Sequence, residues 1–203
     1  MFNHHTKGAS IMAVLTAVIA GIATGAELVK NIKEMTSIIP KAAQDLSEKH
    51  RWMTITVFNQ TQFLLLYKGN QLDHGRFWTP PGNVKRFDSG TFSVCNKDGS
   101  IGTGASGGVK FQLQMPMDDG GYQELDIAVG FARPEIGSRK CAAIYSSNPE
   151  QAYNAATSEG TIHTSRQFTG TNMRGEEVTI EFVTAATPGE GSTVTITERI
   201  VAK

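Results

Sequence analysis

The chain has 203 residues, with 19 Lys and Arg against 19 Asp and Glu, so its formal net charge is zero. That balance argues against nucleic acid as a partner, since phosphate binders carry a basic excess, and it removes bulk electrostatic attraction to anionic membranes. Hydrophobic residues make up 39% and there are 21 glycines, a composition that fits one sizeable core rich in strands and turns, with an appendage.

The first element is the uncharged run "GASIMAVLTAVIAGIATGA", residues 8–26. At about 100° per residue its positions separate into two faces. Ile11, Met12, Val14, Leu15, Val18, Ile19 and Ile22 form a bulky apolar side, and Ala13, Thr16, Ala17, Ala20, Gly21 and Thr24 a small one. From Glu27 onward the helix becomes conventionally amphipathic: Leu28, Val29, Ile32, Met35 and Ile39 form a stripe, and Glu27, Lys30, Lys33 and Glu34 are polar. Four readings fit this segment. It has the charged start, apolar run and small-residue end of a signal peptide. Its length approaches the ~30 Å hydrocarbon core that an anchor must cross. It can pack permanently on the domain that follows. Being rich in Ala, Gly and Thr and poor in Leu, it also suits conditional insertion, hidden in solution and buried in lipid later, with its small face allowing close helix contacts or lining a pore.

Pro40 ends or kinks the helical run, and "KAAQDLSEK" (41–49) reads as a short polar helix or linker. Residues 9–48 contain no aromatic residue, and composition changes sharply near residue 50. Two regions follow: a helical region at 1–50 and a strand-rich domain at 51–203. The strands expected in the second are 52–60, 63–69, 90–96, 107–115, 123–133, 140–147, 176–185 and 192–201. Alternation is clearest at Val178, Ile180 and Phe182 against Thr179, Glu181 and Val183, and again at Val194, Ile196, Glu198 and Ile200. Many short strands with frequent turns predict a mainly β, antiparallel sandwich. "MDDGGY" (117–122) is a hairpin turn, and residues 146–176 are polar and loop-like, with some helical character.

Within this domain "HGRFWTPPGN" (74–83) sets Phe77 and Trp78 side by side. In extended chain they point to opposite faces, which leaves two readings: both rings pack in the sandwich, or one anchors in the core while the other meets a membrane interface. Arg76 can pair with a lipid phosphate. "GTGASG" (102–107) matches a dinucleotide-binding fingerprint, but the following residues are strand-like, so it reads as a glycine-rich turn with close backbone packing. His4, His5, His50, His74 and His163 form no metal-ligand spacing, and neighbours such as Asp73 and His74 need not face each other. Cys95 and Cys141 form no CxxC and leave two readings, buried free thiols or a disulfide. There is no GxSxG. No catalytic residue, metal or cofactor is assigned, and the chain is read as a non-enzyme.

The runs "TITVFNQT", "LDHGRFWTPPGNV", "TFSVCNKDGSIGTGASGGVKFQL" and "LDIAVGFARPEIGSRK" resemble, in that order, the successive motifs of aegerolysins, over roughly residues 53–140. They look closest to the small aegerolysin-like partner of a binary insecticidal toxin. The resemblance implies a β-sandwich that binds membrane lipids, sphingolipids among them, and acts in pore formation beside a larger protein. The N-terminal helix departs from that pattern and resembles the actinoporins instead, whose helix leaves a lipid-docked sandwich and inserts into an oligomeric pore. The actinoporin headgroup-site tyrosines do not align onto this chain.

Together these readings describe a secreted or released soluble cytolysin that becomes associated with a target membrane. Its sandwich, of aegerolysin/actinoporin type, docks on lipid through Arg76, Phe77, Trp78 and Tyr122. Ile11, Val14, Leu15, Val18, Ile19 and Ile22 then face lipid in a homo-oligomeric pore, with Ala13, Thr16, Ala17, Ala20 and Thr24 toward neighbouring helices or the lumen and Lys30 and Lys33 at the headgroups. The alternative is a non-lytic lipid- or glycan-binding module whose helix serves oligomerisation or anchoring. A second protein component is compatible with either.

Overall fold

A computed structural model describes residues 11–12, 44–99, 104–117, 120–172 and 175–201. Among the described residues twelve strands and two short helices follow in chain order: β1 (Ile11–Met12), α1 (Gln44–Ser47), β2 (Trp52–Gln60), β3 (Leu64–His74), β4 (Arg76–Thr79), β5 (Asp88–Cys95), β6 (Ala105–Pro116), β7 (Tyr122–Arg133), β8 (Lys140–Ile144), α2 (Pro149–Ala155), β9 (Thr161–Thr164), β10 (Phe168–Thr171), β11 (Glu177–Thr187) and β12 (Gly191–Ile200). The expected helix at Val14, Leu15, Val18, Ile19 and Ile22, with its small side at Ala13, Thr16, Ala17, Ala20 and Thr24, lies outside the described residues. At its head Ile11 is not helical: Ile11–Met12 pairs parallel with Gly170 and Thr171 of β10.

The strands form two sheets. The larger has the order β1-β10-β11-β12-β2-β5-β4, with β9 also on β11; the smaller has the order β3-β6-β7-β8. Pairing is antiparallel throughout both sheets except at β1–β10 and at β12–β2, where Thr193 lies beside Thr56 and Thr195 beside Phe58. β9 and β10 line one edge of β11, separated by an irregularity at 165–167 that Ser165 closes by donating its amide to the Phe182 carbonyl at 2.8 Å.

One core joins the sheets. Met53, Ile55 and Val57 of β2, Phe92 and Val94 of β5, and Ile180, Phe182, Val194 and Ile196 of β11 and β12 face Val109, Phe111 and Leu113 of β6 and Ile127, Val129 and Phe131 of β7. Phe92 meets Phe131 edge-on across the layers, with centroids 5.7 Å apart. The apolar positions recur every second residue, as a strand with one buried face requires. Burial of each such phenylalanine contributes roughly 1.5–3 kcal/mol. Two polar contacts also bridge the layers: the Tyr145 hydroxyl donates to the Phe182 carbonyl at 2.7 Å, and Thr184 to the Ala143 carbonyl at 3.0 Å. Cys95 and Cys141 are buried and unbridged, and burial pushes the Cys141 thiol up to about 12.

β3 continues past Gly69, where the expected strand ended, because the register shift between Tyr67 and Gly69 absorbs Lys68 as a bulge. The "GTGASG" run enters β6 at Ala105, so its last residues are strand, and Gly107 and Gly108 lie against neighbouring backbone.

Candidate functional site

A cavity of about 430 Å³ opens at one end of the small sheet. The end of β3 brings Asp73 and His74, the start of β6 brings Ser106, the end of β7 Arg133 and the start of β8 Lys140; α2 roofs them with Tyr153 and Asn154. This roof depends on two glycines. A Cβ on Gly130 would lie 1.9 Å from the Ala152 carbonyl oxygen, and one on Gly108 would lie 2.1 Å from that of Pro149. Only bare backbone in β6 and β7 lets the helix lie this low. The helix starts where the sequence directs it: the Asn148 side chain accepts the Glu150 amide at 2.9 Å, and Pro149 occupies the first turn.

Asp73 and His74 do face each other, with Nδ1 and Oδ2 2.6 Å apart. The Ser106 hydroxyl donates to the same oxygen at 3.2 Å. The bond with His74, its charge, and further bonds from Ser106 and Tyr153 hold the Asp73 carboxyl below its usual range. Across the cavity Arg133 donates Nη1 to the Pro134 carbonyl at 3.0 Å, while its buried Nε has no partner. Burial lowers the pKa of this guanidinium, and Arg139 and Arg51 act in the same direction. Arg139, whose Nε is also buried without a partner, approaches Glu190 no closer than 3.9 Å. One wall is thus cationic and short of acceptors, and the other is a carboxylate ringed by hydroxyls. Such a cavity can take a compact polar group carrying an anion or several hydroxyls. Beside it, the loop between β7 and β8 carries Ile136, 90% exposed.

The sequence-nominated docking residues divide. Phe77 packs inward, edge-on to Phe92 with centroids 6.2 Å apart. Trp78 points the other way and has the cations of Lys49 and Arg76 over its ring, each 5.2 Å from the ring centre. Those cations share Asp98, both at 3.0 Å, so Arg76 is already paired. Trp78 follows His74 by four residues and therefore belongs to the cavity's end of the molecule. Tyr122 does not: it starts β7, which ends at Arg133, roughly 35–40 Å away along an extended strand. It is 58% exposed and lines a second, more apolar cleft of about 360 Å³ with Leu64, Arg86 and Phe87. Phe87 is 69% exposed, and at φ 52° it is a non-glycine residue in the left-handed region.

Sequence reasoning missed Arg133, Lys140, Tyr153 and Asn154. The signal for the last two was present in "NPEQ", a cap, a proline and an acidic first turn. That for the first two was "RPEIGSRK", basic residues flanking an isolated isoleucine.

No family model matches the chain, and no curated protein does. Among solved structures, the lipid-binding protein Nakanori superposes with a TM-score of 0.43 at 12% identity, over 85% of this chain and 79% of its own.

Proposed function

We propose that this protein docks on membrane lipid headgroups through the cavity at the end of the small sheet, and that residues 11–24 then enter the bilayer to form an oligomeric pore. The observation that carries the docking step is the buried, unpartnered Nε of Arg133 in a cavity it lines with Lys140, beside a loop whose Ile136 is almost fully exposed. A phosphate-bearing headgroup meets the cations, and the isoleucine enters the apolar boundary below it. The pore step is supported by sequence alone, through the two unlike faces of residues 11–24. A sphingolipid is the lipid class to which the aegerolysin resemblance leads.

A second reading has its own support. Asp73, Ser106, Tyr153 and Asn154 line the cavity with carboxylate, hydroxyl and amide groups, which suit a hydroxyl-rich headgroup or glycan bound without lysis. Vesicle pelleting and dye leakage, run on the full chain with and without sphingomyelin, separate the two. We expect Arg133→Gln to weaken pelleting at least tenfold, and Val18→Asp to pellet like the native chain while releasing no dye. Leakage by Val18→Asp at the native rate would remove the segment as perforator. Pelleting without leakage by the native chain supports the non-lytic reading, and absence of pelleting on every composition overturns the docking step.

A further inference from the structure

The second cleft is built at strand ends. Leu64 opens β3, Pro116 closes β6 and Tyr122 opens β7, while Arg86 and Phe87 follow the bridge of Val84 to Leu65. One buried side chain holds the two turns that flank it. Asn59 donates Nδ2 to the carbonyls of Phe63 at 2.8 Å and Lys85 at 3.0 Å, and its Oδ1 accepts the Thr61 hydroxyl at 2.7 Å and amide at 3.2 Å. The Phe87 amide donates to the Thr61 carbonyl at 3.2 Å. Phe87 is thereby held at φ 52°, a conformation that glycine or asparagine takes more easily, with its ring 69% exposed. Both features cost folding free energy at one residue. Backbone held against its preference in this way points to a use outside the fold.

Charge at this end of the molecule is divided. Arg86 lies at one margin, beyond β3. Glu124 lies at the other: it is opposite Gln114 in register, and β8 pairs only with residues 128–132 of β7, so among the described strands nothing flanks it. Both are exposed, and among the described residues neither is in an ion pair; Glu124 accepts only a long bond from Gln114, at 3.5 Å. Between them Phe87 and Tyr122 stand at a hollow of about 360 Å³, and an apolar cavity of ~150 Å³ already takes a benzene ring. The patch thus carries a projecting ring, a hollow that fits one, a cation and an anion. Half a turn about an axis through its middle, perpendicular to the sheet, exchanges the two margins. A second copy then offers Glu124 to Arg86, Arg86 to Glu124 and Phe87 to the hollow, the self-complementarity that an isologous pair requires. α2 stands on the outer face at the other end of the sheet, over Gly108 and Gly130, so two copies meet end to end rather than face on face.

We infer that two copies of this chain pair end to end through this patch, Phe87 of each seated in the other's cleft and Arg86 of each against Glu124 of the other. At ~150–250 Å² for a whole aromatic side chain, Phe87 and Tyr122 expose roughly 200–300 Å² between them. That puts the pair among the small, concentration-dependent interfaces, below ~1,200 Å² of total burial. The cavity proposed to dock on lipid takes no part, since it lies at the opposite end of the same strands. The pairing therefore stands whether or not that cavity binds lipid, and the pair carries its two cavities at its outer ends.

The test is sedimentation equilibrium of the full chain in lipid-free buffer at pH 7. From about 5 to about 500 µM the average mass should rise from that of one chain toward that of two. Phe87→Asn suits the left-handed backbone, so its urea midpoint should not fall, while its dissociation constant rises about tenfold or more. Arg86→Glu and Glu124→Arg should each weaken pairing about tenfold, and together restore it to within about threefold of the native chain, which a general change of charge does not do. Should Phe87→Asn fail to fold, Tyr122→Ser, at an exposed position of the same patch, gives the same reading. A native chain that stays monomeric throughout overturns the inference. So does self-association that the Phe87 or Tyr122 variant leaves unchanged, and so does a charge-exchanged double variant no tighter than the single ones.

Discussion

Glu198 shows how an alternation read from sequence becomes an energetic statement. The period of two along Val194, Ile196 and Glu198 puts this carboxylate on the buried side of β12, and there it accepts only long bonds from Gln62, 3.4 Å from the backbone amide and 3.3 Å from the side chain. Burial raises its pKa, the Gln62 bonds opposing. An acid raised in the folded state binds its proton more readily there than in the unfolded chain, so stability rises as pH falls through the raised value and levels off below the ordinary ~4.5. We expect the urea midpoint of the native protein to increase on acidification across that window and that of Glu198→Gln to stay flatter, by a slope readable in paired titrations at pH 7 and pH 5. Equal slopes would detach the effect from Glu198. The face of Glu198 was legible; its partner, 136 residues away, was not, because a period carries no address. Phe77 and Trp78 repeat the lesson. Their opposite directions followed from extended backbone, and Arg76 is Trp78's neighbour in β4, whereas Lys49, the second cation at its ring, comes from a segment that only the fold brings to it.

Elements were legible in proportion to how much of their stability is local. The long alternating strands β2, β6, β7, β11 and β12 lie close to where periodicity puts them. β4, β9 and β10 have four residues each, and they are strands because a neighbour's ladder is available, a nonlocal cause. α2 was hidden differently: seven residues are too few for a convincing apolar stripe, and its cap was the only signature. Its seat on glycine makes it the most easily displaced part of the site. Gly130→Ala must push a methyl into helix backbone, so α2 should lift and take Tyr153 and Asn154 with it. The expected cost is about 3 kcal/mol or more by chemical denaturation, together with loss of vesicle pelleting. A variant as stable as the native chain, binding equally well, would show that the helix can shift without consequence.

At the scale of the whole molecule the two clefts lie at opposite ends of the small sheet, so one flat bilayer cannot touch both. The cavity end offers Ile136 with Arg133 and Lys140; the other offers Phe87, Leu64 and Tyr122 with Arg86. Burying one large apolar side chain contributes roughly 1.5–3 kcal/mol, ten- to a hundredfold in affinity. Ile136→Asp should therefore weaken vesicle binding at least tenfold, while Phe87→Asp leaves it within twofold; the reverse pattern assigns docking to the other end. A mainly β, two-sheet architecture was readable from strand count and alternation. The order of the strands was not, and least of all the parallel pairing of β12 with β2, which sets the last strand beside the first long one at the centre of the large sheet. That pairing also bears on how the protein is made. Chains emerge N-terminus first at about 5–20 residues per second, so β12 leaves the ribosome roughly 7–28 s after the β2 strand it must pair with. Through that interval every nascent copy carries β2 with one side of its ladder unpaired, and the closing of the large sheet waits on the last strand made.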